Sequence, residues 1–281
     1  MAVEVFLSMV ITPTTIPGAP TIGTPTKSGT TGSIPFTAPT YTGGSGQLGL
    51  SNTASYSSPR QIGTLTNWLQ ISVDDNSSYA LRADGTLWAW GYNYYGELGT
   101  GDVSTRYSPV QIGSNTNWMQ ITSGSINAMA LRTDGTLWSW GYNGQGQLGL
   151  NDTTWRSSPT QVGSLTTWVT VNMNNYSSFA IKTDGTLWSW GQNNSGQLGL
   201  NDTNYRSSPN QIGALTNWLQ ISGNYNGYVT TALKTDGTLW SWGSNNLGQL
   251  GLGNTTYKSS PTQIGSLSTW VAVSGSMAIH T

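Results

Sequence analysis

The sequence predicts an all-β propeller, and three features of its 281 residues carry that prediction. The motif Asp-Gly-Thr-Leu-Trp-(Ser/Ala)-Trp-Gly occurs four times with spacings of 50, 50 and 52 residues, starting at Asp84, Asp134, Asp184 and Asp236. A fixed period near 50 residues is typical of propeller blades. Each unit also contains four short runs with strand character, and no helical apolar pattern of useful length appears. We therefore expect almost no helix.

The unit that follows Gly96 shows the expected elements. A polar loop runs to Pro109, and the predicted strands cover residues 110–113, 118–122, 128–132 and 136–140. The second of these alternates large apolar with polar residues, as a half-buried strand does. Asp134-Gly135 predicts a type I′ hairpin between the last two strands. Four short antiparallel strands in each unit are the content of one blade.

Glycines recur at fixed offsets around a Gly-(Gln/Glu)-Leu-Gly turn. They open it at Gly46, Gly96, Gly146, Gly196 and Gly248 and close it at Gly49, Gly99, Gly149, Gly199 and Gly251. This recurrence predicts either a positive φ or a close approach between blades. The tryptophans of each repeated motif, such as Trp138 and Trp140, are two residues apart and face the same side of a strand. We expect them in the core between blades.

The composition excludes several classes of protein. Charged residues make up 7% of the chain, the formal net charge is -1, and ten Lys and Arg residues are spread over its length. Binding to nucleic acid through phosphates needs clustered cations, so we expect no nucleic-acid partner. The absence of cysteine removes disulfides and thiolate metal sites. The 14 Trp and 13 Tyr residues provide ample apolar surface for a core.

The N-terminal residues do not predict export through a signal peptide or insertion into a membrane. Residues 1–11 have no basic segment, they include Glu4, and their apolar run is short. No segment approaches the 18 or so apolar residues of a spanning helix. A neutral surface rich in Asn, Thr, Ser, Gly and Gln is nevertheless more usual outside cells. A bacteriophage virion protein, released by lysis, reconciles the two observations.

The full repeat resembles that of the regulator of chromosome condensation (RCC1) family. It reads Trp-x-x-(Val/Ile), then Ala-(Leu/Ile)-(Arg/Lys)-x-Asp-Gly-Thr-Leu-Trp-Ser-Trp-Gly-x-Asn-x-x-Gly-Gln-Leu-Gly-Leu, most completely in residues 118–150 and 168–200. The resemblance covers roughly residues 46–281 and implies a β-propeller, usually of seven blades. Known members include a nucleotide exchange factor, a secreted β-lactamase inhibitor and a plant photoreceptor, so the fold by itself assigns no function. The Gly-x-x-His-Thr stretch typical of the family is missing, which argues against exchange activity.

The count of motifs predicts five blades. The segment Ser-Pro-x-Gln-(Ile/Val)-Gly, followed by Trp after four residues, occurs five times, whereas the Asp-Gly-Thr-Leu-Trp strand occurs four times. We expect four continuous blades and a fifth that a strand from residues 32–41 completes, which would remove exposed sheet edges. The alternative is an open arc that another subunit completes, so a homo-oligomer stays open.

The predicted organisation is an N-terminal anchoring or linker segment, residues 1–31, and a propeller, residues 32–281, with units beginning near 46, 96, 146, 196 and 248. The leader weakly resembles the start of a fibronectin type III-like module of phage and bacterial surface proteins. A linker rich in Thr and Pro is the other interpretation. We expect the run Val3 to Ile11 to bind other virion or surface proteins.

The sequence indicates no catalytic, cofactor or metal site. His280 takes the strand position of Arg132 and Lys182 in other units, Asp74 and Asp75 lie in a loop that they cap, and the motif aspartates are hairpin residues. Asp102, Asp152 and Asp202 are single carboxylates in separate units, whereas hard cations need several oxygens.

The best candidates for binding lie before each Ser-Pro pair, where one aromatic and one cation recur in each blade. Aromatic side chains carry contact energy at low entropic cost, so such a face suits a host glycan or a protein. The candidate residues, with two tyrosines of an irregular loop, are Tyr56, Arg106, Tyr107, Trp155, Arg156, Tyr205, Arg206, Tyr257, Lys258, Tyr94 and Tyr95.

These observations favour a non-enzymatic structural or adhesion protein of a phage virion, such as a tail fibre, an appendage or a capsid decoration protein. The alternative is an extracellular or cell-surface bacterial module that binds proteins, as an inhibitor does. An exchange factor or scaffold is the third interpretation.

Overall fold

A computed structural model gives the structure of residues 44–56, 58, 60–224, 227–274 and 277–280. This part of the chain contains strands, turns and loops and no helix, which confirms the all-β prediction. It therefore holds no helix of the length and apolarity that a membrane span needs.

The strands form four sheets of four strands and one sheet of two. In chain order they are β1 (Trp68–Val73), β2 (Ser77–Arg82), β3 (Leu87–Gly91), β4 (Arg106–Gln111), β5 (Trp118–Ser123), β6 (Asn127–Arg132), β7 (Leu137–Gly141), β8 (Arg156–Gln161), β9 (Trp168–Met173), β10 (Ser177–Lys182), β11 (Leu187–Gly191), β12 (Arg206–Gln211), β13 (Trp218–Gly223), β14 (Val229–Lys234), β15 (Leu239–Gly243), β16 (Lys258–Gln263), β17 (Trp270–Ser274) and β18 (Met277–His280).

Each sheet is one antiparallel blade of a β-propeller. Four blades, β1–β4 to β13–β16, are complete, and β17 with β18 forms a partial fifth, as the motif count predicts. The first strands of successive blades contact one another, so β1, β5, β9, β13 and β17 lie innermost. The strand that contains Ser-Pro begins at Arg106, earlier than predicted, and pairs with β3 of the preceding unit. Its proline is tolerated because this strand is the free edge of its sheet.

The hairpin of each motif is not the predicted type I′ turn. The amide of Gly85 donates to the carbonyl of Arg82 at 2.9 Å, and of the turn residues only Gly85 has a positive φ, of 75°. This is a three-residue loop built on a type I turn with a left-handed glycine. Asp84 selects it, because its carboxylate accepts hydrogen bonds from the Thr86 amide at 3.0 Å and the Thr86 hydroxyl at 2.6 Å.

The core lies in the joints between blades, where the paired tryptophans were expected. In the first joint, Tyr79 and Leu87 of the first blade pack on Trp118, Ile121 and Trp140 of the second. Trp140 is fully buried and Trp138 is partly buried against the same cluster. The Trp140 indole N–H donates across the joint to the carbonyl of Glu97 at 2.8 Å. Trp190 and Trp242 make the same bond in the second and third joints, so these three joints combine apolar burial with a satisfied polar group.

The recurrent glycine turn fits closely against the next blade. Gly99 has a φ of 69°, and a side chain there would lie 2.7 Å from the Trp140 indole nitrogen. Both reasons that the sequence offered for these glycines, positive φ and close approach, hold at this position. Gln70 adds a polar contact between inner strands, because its side chain exchanges two hydrogen bonds with the backbone of Ile121, of 2.9 and 3.1 Å.

The first blade presents a face that is covered in every later blade. Ile71 is 67% exposed, whereas its counterpart Ile121 is 1% exposed. On the partial fifth blade, Ile279 is exposed while its counterpart Leu233 is fully buried. The predicted closing strand of residues 32–41 and the leader of residues 1–31 lie outside the described residues, so closure within one chain stays a prediction.

Candidate binding surface

The predicted contact residues lie on or beside the edge strands of the blades. The sequence predicts that all of them lie in loops. This prediction is wrong for those that belong to the fourth strand of a blade, which pairs with the third strand. Gly91, for example, pairs with Arg106. The residues that lie within strands are Arg106 and Tyr107 in β4, Arg156 in β8, Arg206 in β12 and Lys258 in β16. Tyr56, Trp155, Tyr205 and Tyr257 lie outside the long strands.

Three of the predicted cations form ion pairs with an aspartate in the loop that precedes their strand. The Arg106 guanidinium lies 2.5 Å from the Asp102 carboxylate, and the pairs Arg156–Asp152 and Arg206–Asp202 repeat this at 2.6 and 2.5 Å. The Ser104 amide and Arg106 hold the pKa of Asp102 below its usual value. These pairs shape the loops and leave little net charge for a ligand. Exposed pairs of this kind contribute little to stability.

The aromatic residues beside these cations remain on the surface. Tyr107, Trp155, Tyr205 and Tyr257 are all exposed. They occupy related positions in successive blades, so the structure does present a repeated aromatic along the blade edges. Tyr56 is half-buried instead, with its hydroxyl 3.1 Å from the Asn52 side-chain nitrogen and the Arg60 guanidinium 5.1 Å from its ring.

One joint gathers several aromatic side chains, which we call the aromatic cluster: Tyr92, Tyr94, Tyr95, Tyr142 and Trp155. The Tyr95 ring lies at its centre, 5.0 Å from Tyr94, 5.1 Å from Tyr142 and 4.6 Å from Trp155. The three contacts are edge-to-face, the arrangement that aromatic quadrupoles favour. Tyr92 stacks on Tyr94 at 6.4 Å, with 19° between the planes. The cluster therefore joins the loop after β3 to the edge of the second blade.

Local sequence explains why the cluster forms here. Gly144 stands where the other loops have Tyr94, Asn194 and Asn246, and a side chain at Gly144 would overlap the Tyr142 ring. Because position 144 has no side chain, the Tyr142 ring can fold over the loop toward Trp155. The centres of these two rings lie 5.4 Å apart. Asn93 fixes the tyrosine loop from below, because its side-chain oxygen accepts from the Leu98 amide at 2.9 Å.

The sequence anticipated part of this cluster. It named Tyr94, Tyr95 and Trp155, which the structure brings together, but Tyr107, Tyr205 and Tyr257 are not in ring contact with them among the described residues. It missed Tyr142 as a candidate. The available signal was the pair of tyrosines that precede Asn93 and Asn143, where the later units have Gln192 and Ser244.

The first blade contains two acids with raised pKa values, the half-buried Asp74 and the buried Glu97. Asp74 accepts hydrogen bonds from the Ser77 amide at 2.8 Å and the Ser77 hydroxyl at 2.5 Å, and burial raises its pKa to about 7. Glu97 is buried beneath the tyrosine loop and accepts from the Tyr95 amide at 2.7 Å. Its other carboxylate oxygen has no partner in the described structure, and burial raises its pKa as well.

The polar chain between these acids runs through Tyr79. The Tyr79 hydroxyl lies 3.2 Å from the Ser77 hydroxyl and donates to the Glu97 carbonyl at 2.6 Å. Both Ser77 and Tyr79 are fully buried. The two hydroxyls at the centre of the network are therefore shielded from solvent, and we expect the network to act on stability.

Two open grooves of the described chain carry no catalytic pair. Shallow grooves of about 350 and 340 Å³ lie at the first and third joints, floored by tryptophans such as Trp138 and Trp240. No Asp, Glu or His lines either groove. Arg132 instead lies 3.8 Å above the Trp138 ring. Across the described residues, no three His, Asp or Glu side chains lie together as metal ligands would.

A comparison with protein families identifies the repeat. The model of the RCC1-like domain matches residues 42–280. No curated protein matches the sequence.

Solved structures show the same fold at low sequence identity. Prp20p from Saccharomyces cerevisiae, described with its binding to Gsp1p and histones, is 21% identical with a TM-score of 0.69, over 80% of this chain and 57% of that one. Human WBSCR16 is 22% identical with a TM-score of 0.68, over 78% and 58%. Yeast RCC1 (Prp20) bound to Kap60 is 20% identical with a TM-score of 0.68, over 82% and 57%. The chain thus spans somewhat over half the length of these structures.

Proposed function

The chain belongs to the RCC1-like domain family, and we propose that it is a non-enzymatic binding protein in which a rigid propeller displays exposed aromatic side chains. The observation that carries this proposal is the contrast between the joints and the blade edges. The joints bury tryptophans such as Trp140 and Trp190 completely, whereas the edges expose Trp155 and Tyr205. Exposed aromatics on a rigid frame are typical of binding surfaces.

The charge distribution supports this class over an exchange factor or a nucleic-acid binder. Prp20p is described with Gsp1p and histones. In this chain, Arg106, Arg156 and Arg206 are neutralised by aspartates of their own loops. Three further cations, Arg132, Lys182 and Lys234, stack on tryptophans of their blades. Little basic surface remains for phosphates or acidic partners.

We place this binding protein in a bacteriophage virion, as a tail fibre, appendage or decoration protein. The neutral surface, rich in Asn, Thr, Ser and Gly, supports a location outside cells. Residues 1–31 would anchor it to other virion proteins. A secreted or cell-surface module that binds a protein is the second candidate, and the exposed face around Ile71, a ready contact for another chain, is the observation that favours it.

Virion association is tested by fractionation of the culture that produces the chain. We expect the full chain to sediment with phage particles on a density gradient and to resist a high-salt wash. A chain that lacks residues 1–31 is the matched control, and it should fold but stay in the soluble fraction. Recovery of the full chain only from washed cell envelopes or culture medium would refute the virion assignment.

A further inference from the structure

The aromatic cluster is the most distinctive exposed feature of the described chain. Two of its rings are open to solvent, since Tyr94 is 60% exposed and Trp155 is 45% exposed. Tyr95 holds both rings in place by edge-to-face contacts. The counterparts in the next joint include Gly144, Gln145 and Gln192, so the cluster belongs to one joint and is not a requirement of the fold.

The rings are fixed before any ligand arrives. Tyr142 occupies the space above Gly144, and Asn93 holds the loop through hydrogen bonds to the Leu98 amide at 2.9 Å and the Asp102 carbonyl at 3.1 Å. A ligand that stacks on such rings loses little free energy to ordering of the protein.

The charged groups around the cluster are either ion-paired or buried. Arg156, next to Trp155, donates to Asp152 at 2.6 Å. Glu97 lies buried below, with one oxygen bound to the Tyr95 amide. The two residues that precede Trp155, Thr153 and Thr154, are exposed and carry hydroxyls. The site therefore combines exposed ring faces with neutral hydrogen-bonding groups, and it lacks the concentrated charge that an ionic ligand would require.

We propose that the aromatic cluster binds a neutral saccharide by stacking of hexopyranose rings on Tyr94 and Trp155. This proposal rests on the proposed binding function and names its ligand class. The C–H groups on one face of a pyranose carry a slight positive charge and are attracted to the negative face of an aromatic ring. The hydroxyls of the saccharide would form hydrogen bonds with Thr153 and Thr154. A stable protein interface buries about 800 Å² on each partner. The few exposed rings of the cluster instead match the size of one short saccharide.

The test uses the full chain and an array of short neutral oligomers of glucose, galactose, mannose and N-acetylglucosamine, with sialylated and sulfated glycans for comparison. We expect binding to a neutral saccharide. Trp155→Ala and Tyr94→Ala should each lower the affinity about tenfold or more in a calorimetric titration. The loss of an aromatic ring that stacks on a nucleobase has an effect of this size. Both side chains are exposed, so both variants should fold.

Tyr228→Ala is the matched control. Tyr228 is also an exposed aromatic residue, at 38%, but it lies just before β14, outside the cluster and outside the set of predicted contact residues. Gly144→Asn should displace Tyr142 and weaken binding while every ring is retained. The proposal is overturned if no neutral saccharide binds, if only charged glycans bind, or if Trp155→Ala and Tyr228→Ala have equal effects. Particle fractionation scores the virion assignment separately, so the two proposals can fail independently.

Discussion

The chain becomes less stable as the pH rises from about 4 to about 7, because Asp74, whose pKa is raised in the folded chain, releases its proton in that interval. Burial raises the pKa of Asp74 from 3.8 to about 7 and also raises that of Glu97. The folded chain therefore binds these protons more tightly than the unfolded chain does. Their contribution to stability is fully present below pH 3.8 and is lost as the pH passes through the folded pKa. For Asp74 alone the loss is on the order of 3 kcal/mol.

The other shifted carboxylates act in a different pH window. The pKa values of Asp84, Asp134 and Asp184 are lowered, with the hydrogen bond from the following threonine hydroxyl as the largest cause. Their contribution is present above pH 3.8 and is lost as the pH falls below it. Between pH 4 and 7, the slope should therefore report Asp74, and the raised pKa of Glu97 acts in the same direction.

Asp74→Asn should flatten this dependence and leave the chain more stable than the parent at pH 8. The repeat itself supports the variant, since Asn174 and Asn224 occupy the equivalent positions, and the Asn174 side-chain oxygen accepts from the Ser177 amide at 2.7 Å. An asparagine nitrogen at position 74 can donate to Ser77, which then donates to Tyr79. Glu97→Gln should act in the same direction, because glutamine occupies the other glycine turns, as at Gln147.

Urea unfolding at several pH values, followed by tryptophan fluorescence, measures the effect. Asp75→Asn is the matched control, since Asp75 has the same charge and is exposed. It should leave the slope unchanged. Equal slopes for the parent and for Asp74→Asn would show that Asp74 is already ionised at no cost in the folded chain.

The fold was predictable because its determinants are local and repeated. The spacing of two residues between Trp138 and Trp140 indicated that they face the same side of a strand. The recurrence of glycine at the position of Gly99 indicated a backbone constraint there. The errors arose where a residue's partner is distant or where competing local geometries share one motif. Arg106 pairs with Gly91, fifteen positions earlier, and no short pattern reveals that pairing. Asp-Gly suits both a type I′ turn and a type I turn with a left-handed glycine, and the Asp84–Thr86 bonds decide between them.

The binding surface was less predictable than the fold for a similar reason. Composition revealed exposed aromatics, but their grouping depends on which side chains lean across a joint. Tyr142 reaches Trp155 because position 144 lacks a side chain, and that consequence follows only from the folded geometry. The arginines of the same loops were expected to face a ligand, yet an aspartate four residues earlier binds each of Arg106, Arg156 and Arg206.

Gly135→Ala should lower the free energy of unfolding far more than a change of one methyl group suggests. Gly135 lies in the hairpin between β6 and β7, with a φ of 77°. A side chain there would overlap the backbone carbonyl of Thr166, just before the third blade begins. The Gly135 carbonyl also accepts from the Trp168 amide at 3.2 Å. Because the obstructing atom is backbone, the second and third blades must separate, and Trp168 loses its burial.

The expected loss is about 3–5 kcal/mol, which combines left-handed strain of about 1 kcal/mol with disruption of a packed joint. Gly163→Ala isolates the strain, since Gly163 has a φ of 62° and open space where the side chain would go. It should cost only about 1 kcal/mol. Urea unfolding of both variants gives the comparison, and near-ultraviolet circular dichroism reports the packing of the tryptophans. Equal losses for the two variants would mean that the joint tolerates displacement and that the blades are held less tightly than their buried tryptophans indicate.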